Sequence, residues 1–143
     1  MIHIGFTGSR NGMKPNQLQT FLEVIGDAGL GEDHNEIAFH HGDCVGADEQ
    51  AHYRVLGNMD IFIHPPTDPK HRAFCTGAKH VSDPKPYILR NHIIVKASDL
   101  LIATPATVGE EQRSGTWATI RYANQSDVAF LIIDPYGKKR RTI

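Results

Sequence analysis

The chain of 143 residues has only two cysteines, Cys44 and Cys75, too few for the disulfide framework of a small secreted domain. It has no apolar run near the ~18 residues that suggest a membrane-spanning helix and no recognisable secretory signal, so a reducing cytoplasm is the expected location. The net charge of −1 removes any bulk electrostatic argument for a nucleic-acid or membrane partner. Histidine is plentiful, at nine residues, but none has His-x-x-x-His spacing within a zinc motif. His40 and His41 are neighbours pointing to opposite faces of a strand, so no metal is expected. The dinucleotide fingerprint G-x-G-x-x-G and the phosphate-binding G-x-x-x-x-G-K-[ST] are also missing. So are internal repeats and any linker that would split the chain. What remains is an ordinary globular composition, 40% hydrophobic and 22% charged, of a length that suits one domain.

Against these absences stand three glycine-containing junctions, each where a hydrophobic strand gives way to a helix. They are Gly5-Phe6-Thr7-Gly8-Ser9-Arg10, His41-Gly42-Asp43-Cys44-Val45-Gly46-Ala47-Asp48 and Arg113-Ser114-Gly115-Thr116-Trp117. Glycine there lets backbone N–H groups approach a ligand, and the helix that follows presents unpaired donors and partial positive charge. A single junction of this kind is common in α/β proteins. Three in one small chain suggest a nucleotide site.

Strands are expected at residues 2–6, 36–40, 60–64, 100–104 and 128–133. Helices are expected from Pro15, closed by Gly26, Gly29 and Gly31, and over 47–56, 86–97 and 114–124. Leu18, Phe21, Leu22 and Ile25 recur at helical spacing in the first, and Ile88, Leu89, Ile93 and Ile94 form the apolar side of the third. Five strands alternating with four helices imply parallel βαβ units. The expected fold is a Rossmann-like three-layer α/β sandwich with a five-stranded parallel sheet in the order 3-2-1-4-5. Residues 1–135 form the domain, and 136–143 form a basic, solvated tail carrying Lys138-Lys139-Arg140-Arg141. In such a sheet the ligand crevice lies at the carboxyl ends of the strands where the order reverses, between the turn at 7–10 and the loop at 105–116. The proline-rich stretch from Pro66 to Pro86, with Lys70, Lys79, Lys85, His71, His80 and Arg72, reads as a lid or rim over an anionic ligand.

Several residues suit such a site. Thr7, Gly8, Ser9 and Arg10 offer hydroxyls, open backbone and a guanidinium for phosphate, although Ser9 or Thr7 can equally satisfy the turn itself. His41, Gly42 and Gly46 frame the second loop. Asp48, in a first helical turn, is either a capping carboxylate or one that holds ribose hydroxyls or acts as a base. Arg90 and Asn91 sit near the polar boundary of their helix, where a structural ion pair is the plain alternative. Arg113, Ser114, Gly115 and Thr116 open the fourth helix beside Glu110 and Glu111, and Trp117 packs that helix onto the sheet.

Arg90-Asn91 on a helix, then Ser98-Asp99-Leu100-Leu101-Ile102-Ala103 and Ser114-Gly115-Thr116, resembles the second half of the SLOG superfamily. That superfamily includes the lysine decarboxylase-like phosphoribohydrolases, the DNA-processing protein A Rossmann domain and the molybdenum-cofactor carrier proteins. The first half, with Gly5–Arg10, His41-Gly42 and Gly46-Ala47-Asp48, is similar to small SLOG proteins of bacteria and phages. The resemblance spans residues 2–133. It implies a nucleotide or nucleotide-derived ligand, often a homodimer, and in some members cleavage of a nucleoside monophosphate at its N-glycosidic bond. Arg90 matches the hydrolases' arginine, and Gly115-Thr116 matches their Gly-Thr. The chain departs from them elsewhere. Asn91 replaces a lysine, a loop follows Pro105, and Trp117-Ala118-Thr119 stands where acidic residues belong. Catalysis would therefore fall to Asp48, Glu110 or Glu111 beside Arg90.

The expected function is binding of a nucleotide or nucleotide-derived small molecule, with no cofactor implied. The alternatives are an N-glycosidic hydrolase, a deoxyribosyltransferase-like enzyme, or a DNA-associated module. Nucleic acid and membrane are not expected partners.

Overall fold

The computed structural model describes residues 1–29 and 36–143; the turn expected around Gly31 lies outside them. The strands are β1 (Ile2–Gly8), β2 (Ile37–His41), β3 (Asp60–Ile63), β4 (His80–Val81), β5 (Leu100–Thr104), β6 (Ala129–Ile133) and β7 (Lys139–Arg140). The α-helices are α1 (Pro15–Gly29), α2 (Ala47–Val55), α3 (Tyr87–Ala97) and α4 (Gly115–Gln125). The sheet order is β4-β3-β2-β1-β5-β6-β7. All pairings are parallel except β6 with β7.

The five expected strands occur in the expected order, but the sheet has seven strands, not five. β4 and β7 add an edge on each side. Each is only two residues long, too short to show the alternation by which strands are read from sequence. The basic segment at 138–141, expected as a free tail, turns back onto β6. Asp134 Oδ1 accepts from the N–H groups of Tyr136 and Lys138, at 2.8 and 3.0 Å, and so closes that turn.

Burial on both sides explains the continuous apolar strands. Along β5 and β6, Ile102, Leu131 and Ile133 face a core shared with Phe21 and Ile25 of α1 and Ala51 and Val55 of α2. The alternate residues Leu101, Ala103, Phe130 and Ile132 face a second core with Ile94 and Val95 of α3 and Trp117 and Ile120 of α4. Phe6, Phe21 and Phe39 pack together in the first, Phe21 edge-on to both of the others, with ring centroids 5.2 to 6.3 Å apart.

Two helices differ from expectation. α1 continues through Gly26 to Gly29; buried Phe21 and Ile25 outweigh the ~1 kcal/mol that an interior glycine costs. In α3 the buried side is Arg90, Ile94 and Val95, whereas Ile88 and Leu89, expected to be inward, are 73% and 48% exposed. Arg90 moves from the polar boundary to the inside because main-chain carbonyls await it there.

Candidate functional site

Three chain segments meet at the carboxyl ends of β1, β2 and β5, and backbone hydrogen bonds lock them together. Ser9 donates its N–H to the Thr104 carbonyl at the end of β5 (3.2 Å), and its own carbonyl accepts from Ala47 at the start of α2 (2.9 Å). Gly46 makes that approach possible. It has φ near 91°, and a β-carbon there would strike the Arg10 carbonyl. Gln17, 1% exposed, ties the far side, donating to the carbonyls of Pro105 and Ile133 at 2.9 and 2.8 Å.

Between these segments lies a cleft of about 660 Å³. Its lining includes Thr7, Gly8, Ser9 and Arg10 after β1, Gly42 and Asp48 after β2, Arg90 on α3, and Glu111, Arg113, Ser114, Gly115 and Thr116 at α4. The structure brings these expected residues together. It does not bring in three others. Gly46 serves the packing of the two turns, and Glu110 is held by Arg121 in an exposed ion pair at 2.9 Å. His41 is fully buried, between the Asp43 N–H and His52. A strand-end histidine is as readily a satisfied core group as a ligand contact, and here it is the former.

At α4, Ser114 is the N-cap and its Oγ accepts from the Trp117 N–H at 3.2 Å. Ala118 bonds back to the Ser114 carbonyl, so the N–H groups of Gly115 and Thr116 remain as first-turn donors without intrahelical partners. A β-carbon at Gly115 would meet nothing within 4 Å. Packing therefore does not demand glycine at this position. The loop before it is pinned from outside: Trp117 Nε1 donates to Thr107, Arg121 to the Glu111 carbonyl and Arg140 to the Val108 carbonyl.

Arg90 is 4% exposed. Nη1 donates to the Gly42 and His64 carbonyls, Nε donates to Asn91 at 2.7 Å, and Nη2 lies 3.7 Å from Cys44 Sγ. Of the five N–H donors of a guanidinium, one remains for a ligand. Arg90 thus holds the ends of β2 and β3 and leaves a buried positive charge under the cleft floor. A β-carbon on Gly42 would collide with the guanidinium, so this glycine is required by Arg90.

Asp48 is 6% exposed. Its Oδ2 accepts from the N–H groups of Gly42 and Cys44, each at 3.2 Å, while Oδ1 has no partner among the described residues. Burial pushes its carboxyl up to about 6, against the pull of Arg90 and those two N–H groups. Burial, and then the charge of Asp48, also raise the Cys44 thiol. Cys44 is therefore a neutral wall at physiological pH rather than a nucleophile.

Sequence reasoning missed the contribution of the proline-rich segment in detail. Asp68, Lys70 and His71 line the cleft, as do Cys44, Tyr87 and Asn91. The segment reaches it through Asp43, which is fully buried at φ 59°. Its carboxylate accepts from Arg72 Nε (2.9 Å) and the Cys75 N–H (3.0 Å), and its carbonyl accepts from Ala73. An aspartate in a glycine loop was the available signal, since Asp tolerates left-handed backbone and bonds to nearby N–H groups. Its partner 29 residues away could not be read from the chain.

His3, His40 and His64 form a row, with Nδ1 of one 2.9 Å from Nε2 of the next. Each pair shares one proton, so the rings join in a chain rather than converge on a point. Among the described residues, no group of three or more His, Cys, Asp or Glu is arranged to hold a metal ion. No described helix is long and apolar enough to cross a membrane.

No protein-family model and no curated protein matches the chain. Solved structures do. The fold is similar to that of the molybdenum cofactor binding protein from the phototrophic bacterium Rippkaea orientalis, with 18% identity and a TM-score of 0.67 over 93% of this chain and 76% of that one. It is also similar to the structural-genomics target TM1055, with 12% identity and a TM-score of 0.59 over 88% of this chain and 70% of that one. At such identities the likeness is one of fold.

Proposed function

We propose that the chain is a SLOG-type domain that binds a nucleotide or nucleotide-derived small molecule in the cleft at the carboxyl ends of β1, β2 and β5. The observation that carries this reading is the convergence of the 7–10 turn and the α4 N-terminus on one cleft. Arg10, Lys70, Arg90 and Arg113 line it against the three carboxyl groups of Asp48, Asp68 and Glu111. Backbone donors at a helix start, together with guanidinium groups, suit a phosphate ester. The similarity to a molybdenum cofactor binding protein supports small-molecule binding in general. A cytoplasmic homodimer is part of the same proposal and rests on the family resemblance.

Gly115→Asp tests the reading. The new side chain enters open space, so the protein should fold with an unchanged melting temperature. The added charge should abolish thermal stabilisation by nucleoside monophosphates. A folded variant that is stabilised as strongly as the parent would remove α4 from the site.

One observation keeps a hydrolytic reading in play: Glu111 lines the cleft together with Asp48. Incubation with nucleoside monophosphates separates the two. Free base that disappears in Glu111→Gln would make the domain an N-glycosidase. Stabilisation without base release would leave it a binding protein.

A further inference from the structure

The orphaned oxygen of Asp48 is the most informative polar atom in the cleft. Oδ2 is fixed by two main-chain donors, Gly42 and Cys44, so the carboxyl group cannot rotate freely to satisfy Oδ1 elsewhere. Oδ1 is buried and has no partner among the described residues, on a residue that lines the cleft. Buried polar atoms in native proteins almost always have partners, and an unmet acceptor of this kind carries a desolvation cost. A ligand that presents a hydrogen-bond donor removes that cost. One that presents a phosphate oxygen adds like-charge repulsion.

The sheet fixes where that donor sits relative to the phosphate. β1 and β2 are adjacent and parallel, paired His3↔Ala38 through Gly5↔His40, and neighbouring strands lie about 4.8 Å apart. The Asp48 carboxylate, held by the N–H groups of Gly42 and Cys44 just after β2, therefore stands about one strand over from the end of β1, on the side away from β5 and α4. A furanose ring bridges a gap of that order, with its phosphate at one end and its hydroxyls at the other. Arg90 adds positive charge beneath, which favours the ionised acceptor.

We propose that Asp48 Oδ1 accepts a hydrogen bond from a sugar hydroxyl of the ligand, so that the cleft selects ribonucleoside 5′-phosphates over their deoxy counterparts. This rests on the nucleotide-binding reading above and adds the sugar to it.

The test needs no variant to begin. The four ribonucleoside 5′-monophosphates, their 2′-deoxy and 3′-deoxy analogues and inorganic phosphate are titrated into the full chain by calorimetry. Loss of the contacted hydroxyl should weaken binding about 10- to 100-fold, the range for a hydrogen bond to a charged group, for one deoxy series or both. Asp48→Asn should then bring ribo and deoxy ligands to within about threefold of each other. Equal affinity of the wild-type protein for ribo and both deoxy forms overturns the Asp48 assignment and leaves the nucleotide reading intact. A difference that persists undiminished in a folded Asp48→Asn protein also overturns it. No binding of any monophosphate or of phosphate overturns both readings.

Discussion

Asp43 shows how much a single side chain organises here. It occupies a left-handed backbone position, is fully buried, and joins the β2–α2 loop to residues 72–75 through its carboxylate and its carbonyl. Asp43→Ala strands the Arg72 guanidinium and the Cys75 N–H and puts a residue without side-chain help at positive φ. The expected loss is about 3 kcal/mol in denaturant unfolding. Asp43→Asn keeps an acceptor and tolerates the backbone, so it should cost about half as much. Equal losses in the two variants would mean that the charge, not the geometry, is what matters.

At the scale of elements, α3 combines two roles. Its inner side carries Arg90 to the strand ends, and its outer side leaves Ile88 and Leu89 largely exposed. For an isolated chain, Ile88→Glu should shift the unfolding free energy by no more than about 0.5 kcal/mol, as surface substitutions do. A larger loss, with a fall in mass by light scattering at micromolar concentration, would show that a second copy covers this helix. The proline-rich segment before α3 is likewise attached by definite contacts. Val45 donates to the His71 carbonyl, and His52 Nε2 lies 2.7 Å from the Thr76 carbonyl, at the end of a chain that begins at the Asp43 N–H and passes through His41. Because the Asp43 N–H donates to His41 Nδ1, His41 carries its proton on Nε2 and donates to His52. The pair is thereby fixed in one tautomeric sense.

For the molecule as a whole, buried histidines dominate the pH response. Burial, reinforced by neighbouring positive charge, lowers His40 and His64 to about 4 and His41 to about 3, from an ordinary 6.5. A histidine lowered in the folded state binds fewer protons there than in the unfolded chain. Its contribution is complete above pH 6.5 and is lost as pH falls through about 4 and then 3. Asp48 runs the other way. Its carboxyl, raised from 3.8 to about 6, favours folding below 3.8, and that contribution fades as pH rises through 6. Three groups oppose one, so the midpoint of urea unfolding should fall steadily between pH 6.5 and 4. A flat profile over that interval would mean the imidazole rows are open to water. His64→Gln should make the profile shallower without changing its direction.

The order of the five long strands, the two-sided burial and the place of the crevice were legible in the chain, because strand and helix periodicities and strand–helix alternation are local properties and right-handed crossovers leave few topologies. The glycine junctions were legible for the same reason. Tertiary structure alone decided which residues at those junctions face the cleft. Glu110 and Glu111 are adjacent in sequence, yet one is taken by Arg121 and the other lines the cleft. His41 ends its strand at the crevice but is buried against His52 of α2. Arg90 proved to be a buried clasp because carbonyls 48 and 26 residues away converge on it. The edge strands β4 and β7 exist only because β3 and β6 present unpaired backbone for them to join. Local preference sets which elements form; the direction a side chain faces, and the partner it meets there, depend on contacts between segments far apart along the chain.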